Sequence, residues 1–110
     1  VVMRLRKPLE AGVITRLRRE ARRLEGRPYD LVFEWSDRRI YCSELVFKAY
    51  RDATGAELGK PIALGAMNWE PYRKFIEETE GGPAPLDRLI ISPKGLSEAG
   101  ELEKVFGNLE

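Results

Sequence analysis

The sequence has no histidine and a single cysteine, Cys42, among 110 residues. One thiol excludes an internal disulfide framework and a cysteine-cluster metal site, and without imidazole a thiol nucleophile has no ordinary general base within the chain. Long apolar runs are also missing, so no segment reaches the roughly 20 residues a membrane-spanning helix needs. The apolar start at Val1-Val2-Met3 is broken at once by Arg4 and Arg6 and does not form a signal peptide. These absences leave the compartment open. A charged fraction of 34% beside a hydrophobic fraction of 43% is that of a globular protein, neither disordered nor membrane-spanning. The length allows one domain, or part of one, over residues 1–110.

A formal charge of +1 conceals an asymmetry. Residues 1–39 carry 11 basic and 6 acidic side chains, and residues 40–110 carry 8 and 12. Much of the basic excess lies between Leu9 and Leu24, where Val13, Ile14, Leu17, Ala21 and Leu24 fall at the spacing of one buried helical face. The other face bears Arg16, Arg18, Arg19, Arg22 and Arg23. With Glu20 and Glu25 interspersed it reads as a solvated surface, and no nucleic-acid partner is expected. A short strand is predicted at Val1–Arg6, ended by Lys7-Pro8.

The stretch from Arg27 to Tyr41 is aromatic and irregular, with a turn at Ser36-Asp37. A second helix is predicted from Cys42 to Ala53, its apolar stripe made by Leu45, Val46, Ala49, Tyr50 and Ala53, with Gly55 as the stop. Residues 56–67, rich in glycine and small side chains, either lie over a cleft or simply connect. A third helix fits Trp69–Thr79, with Asn68 at its N-cap and Tyr72, Phe75 and Ile76 facing inward. Arg88–Ser92 reads as a short buried strand, and Pro93–Phe106 as a loop and a last helix through Leu102, Val105 and Phe106. Two short strands need partners, so the fold is either mostly helical or part of a larger α+β domain.

Cys42 stands at the threshold of the second helix, ahead of its apolar stripe. There the helix dipole and free N–H groups favour an anion, as a nucleophilic thiolate requires. The competing reading is a buried thiol acting as a small hydrophobe.

The residues around it carry a resemblance. Gly26-Arg27-Pro28-Tyr29, followed by Tyr41-Cys42-Ser43-Glu44-Leu45-Val46-Phe47-Lys48-Ala49-Tyr50, resembles the signature of the NlpC/P60 papain-like cysteine hydrolases, in which a Gly-x-Pro-Tyr element precedes an Asp-Cys-Ser-Gly-Leu-Val helix start. Tyr41 in place of Asp and Glu44 in place of Gly, with Trp35-Ser36-Asp37 between, are similar to the YiiX branch, which is circularly permuted. The resemblance implies an α+β fold of which this chain is the nucleophile-helix half, helix-rich with few short strands. The 68 residues after Cys42 lack histidine. The permuted order implies that the histidine strand precedes the cysteine helix, upstream of Val1.

On that resemblance Cys42 matches the nucleophile of an amidase or peptidase acting through a thioester, on cell-wall peptides, lipopeptides or related acyl compounds. Tyr29 matches the family's Pro-Tyr tyrosine, a donor toward the oxyanion or a wall-packing aromatic. Asp30, Tyr41, Ser43 and Glu44 match motif positions that capping, packing or hydrogen bonding explains equally well. No cofactor and no metal are expected. The partners implied are a peptide, lipopeptide or acyl-amide substrate, a missing N-terminal half or a second chain, and a homo-oligomer through exposed apolar surface. The alternatives are an inactive binding module of the same fold and a lipid acyltransferase.

Overall fold

Val2-Met3-Arg4-Leu5 at the start and Leu102-Glu103-Lys104-Val105-Phe106 near the end, both mixing apolar and charged residues, make β1 (Val2–Leu5) and β4 (Leu102–Phe106), which pair antiparallel with Leu5 opposite Leu102 and Met3 opposite Lys104. The computed structural model describes residues 2–107; the strand expected to begin at Val1 is seen from Val2 on. Between the two strands lie α1 (Ala11–Arg23), α2 (Cys42–Thr54), β2 (Ile62–Ala63), α3 (Arg73–Glu80), β3 (Leu89–Ile90) and the short α4 (Pro93–Ser97). β2 and β3 form a second antiparallel pair, so among the described residues the strands make two separate ribbons.

The helices follow their sequence signals. The three-and-four spacing in α1 packs it against α2, and Arg16 Nε donates to the Ala53 carbonyl at 3.2 Å across the contact. α2 ends where predicted, because Gly55 adopts φ +79°, a left-handed conformation with little cost only for glycine. Gly81, at φ +78°, ends α3 in the same way.

Four expectations are corrected. Leu102, Val105 and Phe106 lie on β4, not on a helix: their three-and-four spacing is helical, and pairing with β1 overrides it. The third helix begins at Arg73, after a 3₁₀ turn over Glu70–Tyr72 that contains Pro71, and Asn68 does not cap it. Tyr72 and Phe75 face outward, 61% and 68% exposed. Of Arg88–Ser92 only Ile91 is fully buried.

The buried centre is Tyr41, Phe47 and Ile91, with Trp35, Ile90 and Leu96 packed around it. The Trp35 and Phe47 rings meet edge to face at 5.4 Å, as do Phe33 and Tyr41 at 4.9 Å. Phe33 takes φ +56°, a strained value for a bulky residue, and in that conformation its ring meets that of Tyr41. The described residues spread over 46 × 32 × 20 Å with a radius of gyration of 15.3 Å, against about 13 Å for a compact chain of this length. One face is therefore left open. It is an apolar groove of about 410 Å³ running from Ser43 past Leu31 and Phe33 to Tyr72 and Phe75.

Candidate active site

Cys42 is the first residue of α2 and is exposed, which rejects the buried-hydrophobe reading. The first bond of the helix runs from Leu45 N–H to the Tyr41 carbonyl, so the N–H groups of Cys42 and Ser43 precede the intrahelical ladder and have no partner within it. They are directed at whatever occupies the helix end.

Both neighbours of Cys42 are buried, and both hold the same residue. Ser43 Oγ donates to the Ile91 carbonyl at 2.6 Å, and the Ile91 N–H donates to the Tyr41 hydroxyl at 3.1 Å. The start of α2 is thus fixed to the chain just beyond β3 on either side of the thiol. Burial pushes the Tyr41 phenol up to about 12, so it stays neutral and able to accept that N–H.

Glu44, the third helical residue, reaches back with Oε1 to accept the Tyr41 N–H at 3.2 Å, which is one half of a capping box. Its Oε2 lies 2.8 Å from Lys48 Nζ, one turn along, and Lys48 also donates to Asp37 Oδ1 at 2.9 Å. Burial pushes the Glu44 carboxyl above its ordinary value, and the adjacent Lys48 ammonium opposes that rise as an ion-pair partner, Oε2 accepting no well-aligned hydrogen bond among the described residues. The Lys48 hydrogen bond holds Asp37 below its ordinary value. The buried face of α2 is therefore Ser43, Glu44, Phe47, Lys48, Ala49 and Ala53, whereas Val46 of the predicted stripe is exposed. A Glu and a Lys four residues apart read as a surface pair. The only hint otherwise was that Glu44 falls in the first turn, beside the thiol.

Tyr29 is placed by a parallel bridge to Ile40: Ile40 N–H donates to the Pro28 carbonyl at 3.0 Å and Asp30 N–H to the Ile40 carbonyl at 3.3 Å. The Pro-Tyr segment thus runs beside the residues entering α2, two positions ahead of Cys42, with the Tyr29 side chain half exposed. Asp30, the next residue, is fully buried. Its Oδ1 accepts the Val32 N–H at 3.1 Å, and its Oδ2 has no hydrogen-bond partner among the described residues. Arg88, which also lines the groove, pairs with both oxygens of Glu80 at 2.7 and 2.8 Å and donates to the Val32 carbonyl at 2.7 Å.

The structure thus has an exposed cysteine at a helix start, with the Pro-Tyr segment bridged to the residues leading into it. Residues 1–106 match the family described as permuted papain-like amidase enzyme, YaeF/YiiX, C92 family. The chain belongs to this family. It is 34% identical over 107 residues to the uncharacterized protein YiiX of Escherichia coli strain K12, covering 96% of this chain and 53% of that protein. Its backbone matches the crystal structure of metalloprotein yiiX from Escherichia coli O157:H7, DUF1105, with a TM-score of 0.88 at 32% identity, over 98% of this chain and 61% of that one. The chain spans about half the length of the curated relative it matches. The short strands and four helices among its described residues are an α+β architecture compatible with the permuted papain-like family. Residues 56–67 do more than connect in this C92 member: Lys60, Ile62 and Met67 line one side of a cavity of about 770 Å³ whose other side is formed by Ser92, Lys94 and Glu98 at α4.

Proposed function

We propose that this chain supplies the nucleophile of an amidase that cleaves acyl amides. Cys42 Sγ attacks the amide carbonyl carbon to give a tetrahedral oxyanion, and collapse expels the amine, which takes a proton as it leaves. Water then attacks the resulting thioester, releasing the carboxylic acid and restoring the thiol. The N–H of Cys42 and the Tyr29 hydroxyl are the donors to the oxyanion. The observation that carries the reading is the exposure of the only thiol at a helix start whose two flanking residues are both tied to Ile91.

The proton acceptor and donor is an imidazole from outside these 110 residues, which contain none. Carboxylates are poor substitutes, lying about four pKa units below a thiol. The groove that starts at Ser43 is lined mainly by apolar side chains. It favours lipopeptides and related acyl compounds over bare cell-wall peptides, since a polar peptide would leave that lining unmatched. The related Escherichia coli structure is of a metalloprotein. Among the described residues here no three His, Cys, Asp or Glu side chains come together, so these residues do not fit a metal ion.

The test is amine release from an N-acyl amino acid. The 110-residue chain alone is expected to release little or none, and the protein with the histidine-bearing segment in place is expected to release it in a Cys42-dependent way. Turnover that survives Cys42→Ala refutes the nucleophile. Efficient turnover by the isolated chain refutes the external base.

A further inference from the structure

The buried face of α2 holds a charge pair that caps Tyr41, reaches Asp37 and lies over the Trp35 ring, yet none of these contacts requires the carboxylate to be charged. Glu44 is 0% exposed and Lys48 is 3% exposed, and removing two such charges from water is costly even when they pair. Capping does not require the carboxylate, because a neutral glutamine would accept the Tyr41 N–H equally well. Packing does not require it either, since apolar residues of similar volume usually replace a buried ion pair without loss. What distinguishes the carboxylate is its position: two residues from Cys42, in the same turn, where a second anion opposes a thiolate.

We propose that Glu44 and Lys48 are positioning residues that set the electrostatic field at Cys42, with Glu44 holding the Tyr41 cap and Lys48 cancelling the carboxylate's repulsion of a thiolate. The proposal rests on the reading of Cys42 as nucleophile. The pair is not alone in its surroundings. Asp30 and Asp37 come from the segment before α2, Tyr41 stands at the cap, Arg88 lies beside β3, and Arg23 of α1 reaches Asp37 Oδ2 at 3.4 Å. Of these, only Lys48 contacts both Glu44 and Asp37, at 2.8 and 2.9 Å. It is the cation through which the two carboxylates are balanced.

The signs follow. Glu44→Gln keeps an acceptor for the cap and deletes the opposing charge, so Cys42 gains reactivity at neutral pH. Lys48→Met deletes the compensating charge, so Cys42 loses reactivity. Removing both charges brings the rate back toward the parent. A pair that only holds the fold together predicts no ordered change, because the thiol is already exposed.

The experiment measures alkylation of Cys42, the only thiol, by iodoacetamide from pH 6 to 10, with far-UV circular dichroism confirming the fold of each variant. At pH 7, E44Q is expected to react about three- to tenfold faster than the parent, K48M slower by a similar factor, and the double variant within about twofold. Rates that coincide across the single variants overturn the proposal. So do rates that rise in both, which marks simple loosening of the helix start. If either buried variant fails to fold, Asp37→Asn at the half-exposed end of the chain decides: about twofold acceleration supports the pair, and an unchanged rate overturns it. Alkylation reads the thiol without turnover. Failure here therefore leaves the amidase reading standing, and failure of Cys42-dependent hydrolysis leaves these rates standing.

Discussion

Ser43→Ala removes one hydroxyl, and the structure fixes what that costs. Ser43 Oγ lies 2.6 Å from the Ile91 carbonyl, and both residues are buried, Ile91 to 1% exposure. Water cannot readily replace the lost donor, so the carbonyl is left unsatisfied at a cost of about 1–3 kcal/mol. Alanine's better helix propensity returns about 0.5 kcal/mol at most, and the expected net loss is about 1–2 kcal/mol. With a urea slope of about 1–2 kcal/mol per molar for a chain of this size, the midpoint falls by about 1 M. The assay is urea unfolding followed by tryptophan fluorescence, which Trp35 reports from the core. Tyr41→Phe removes the other tie to Ile91, and because both act on one residue the double variant is expected to cost less than the two singles together. A midpoint for Ser43→Ala within about 0.2 M of the parent, or strict additivity with Tyr41→Phe, would refute the reasoning that one residue anchors both flanks of the thiol.

Burial of the Tyr41 phenol has its own signature. Because its folded pKa is pushed up to about 12, above the value of about 10 for an unfolded tyrosine, its contribution to stability is complete below about pH 10 and is lost as pH rises toward 12. Tyr41→Phe should flatten stability over that window and delete a phenolate transition in an absorbance titration; an unchanged alkaline limb would count against burial as the cause. Gly55 and Gly59 share φ +79°, but a Cβ on Gly59 would lie 2.8 Å from the Gly95 carbonyl oxygen, whereas one on Gly55 meets nothing within 4 Å. Gly55→Ala is expected to cost about 1 kcal/mol from backbone strain alone, and Gly59→Ala clearly more, as measured by thermal unfolding; equal losses would rule out the close approach.

The Cys42 helix was legible because several local signals coincide there. The Cys42 start, the glutamate in the first turn and the Gly55 stop all act within one segment, and the observed Cys42–Thr54 differs from the expectation by one residue. Its buried face was not legible. Val46 looks apolar enough to be inside and Lys48 charged enough to be outside, yet the structure reverses them, because Lys48 is balanced by Glu44 and by Asp37 eleven residues earlier. β4 was misread for a related reason: Leu102, Val105 and Phe106 satisfy helical spacing, and the partner that makes them a strand lies at Val2–Leu5. On α3 and the 3₁₀ turn before it the sequence does show an apolar face at Tyr72 and Phe75, but an apolar face does not name what it packs against, and nothing among the described residues covers it. Of the candidate site, Cys42 and Tyr29 could be named from their motifs. Ile91 could not, since it takes part through its backbone.

Holding the helix start through main-chain atoms has an evolutionary corollary. Because position 91 contributes an N–H and a carbonyl, its side chain is free to drift among apolar residues that fit the core, while positions 41 and 43 are constrained to carry a hydroxyl. The substitution this arrangement forbids at position 91 is proline, which would remove the donor to Tyr41 and so free one flank of a thiol 49 residues away in sequence.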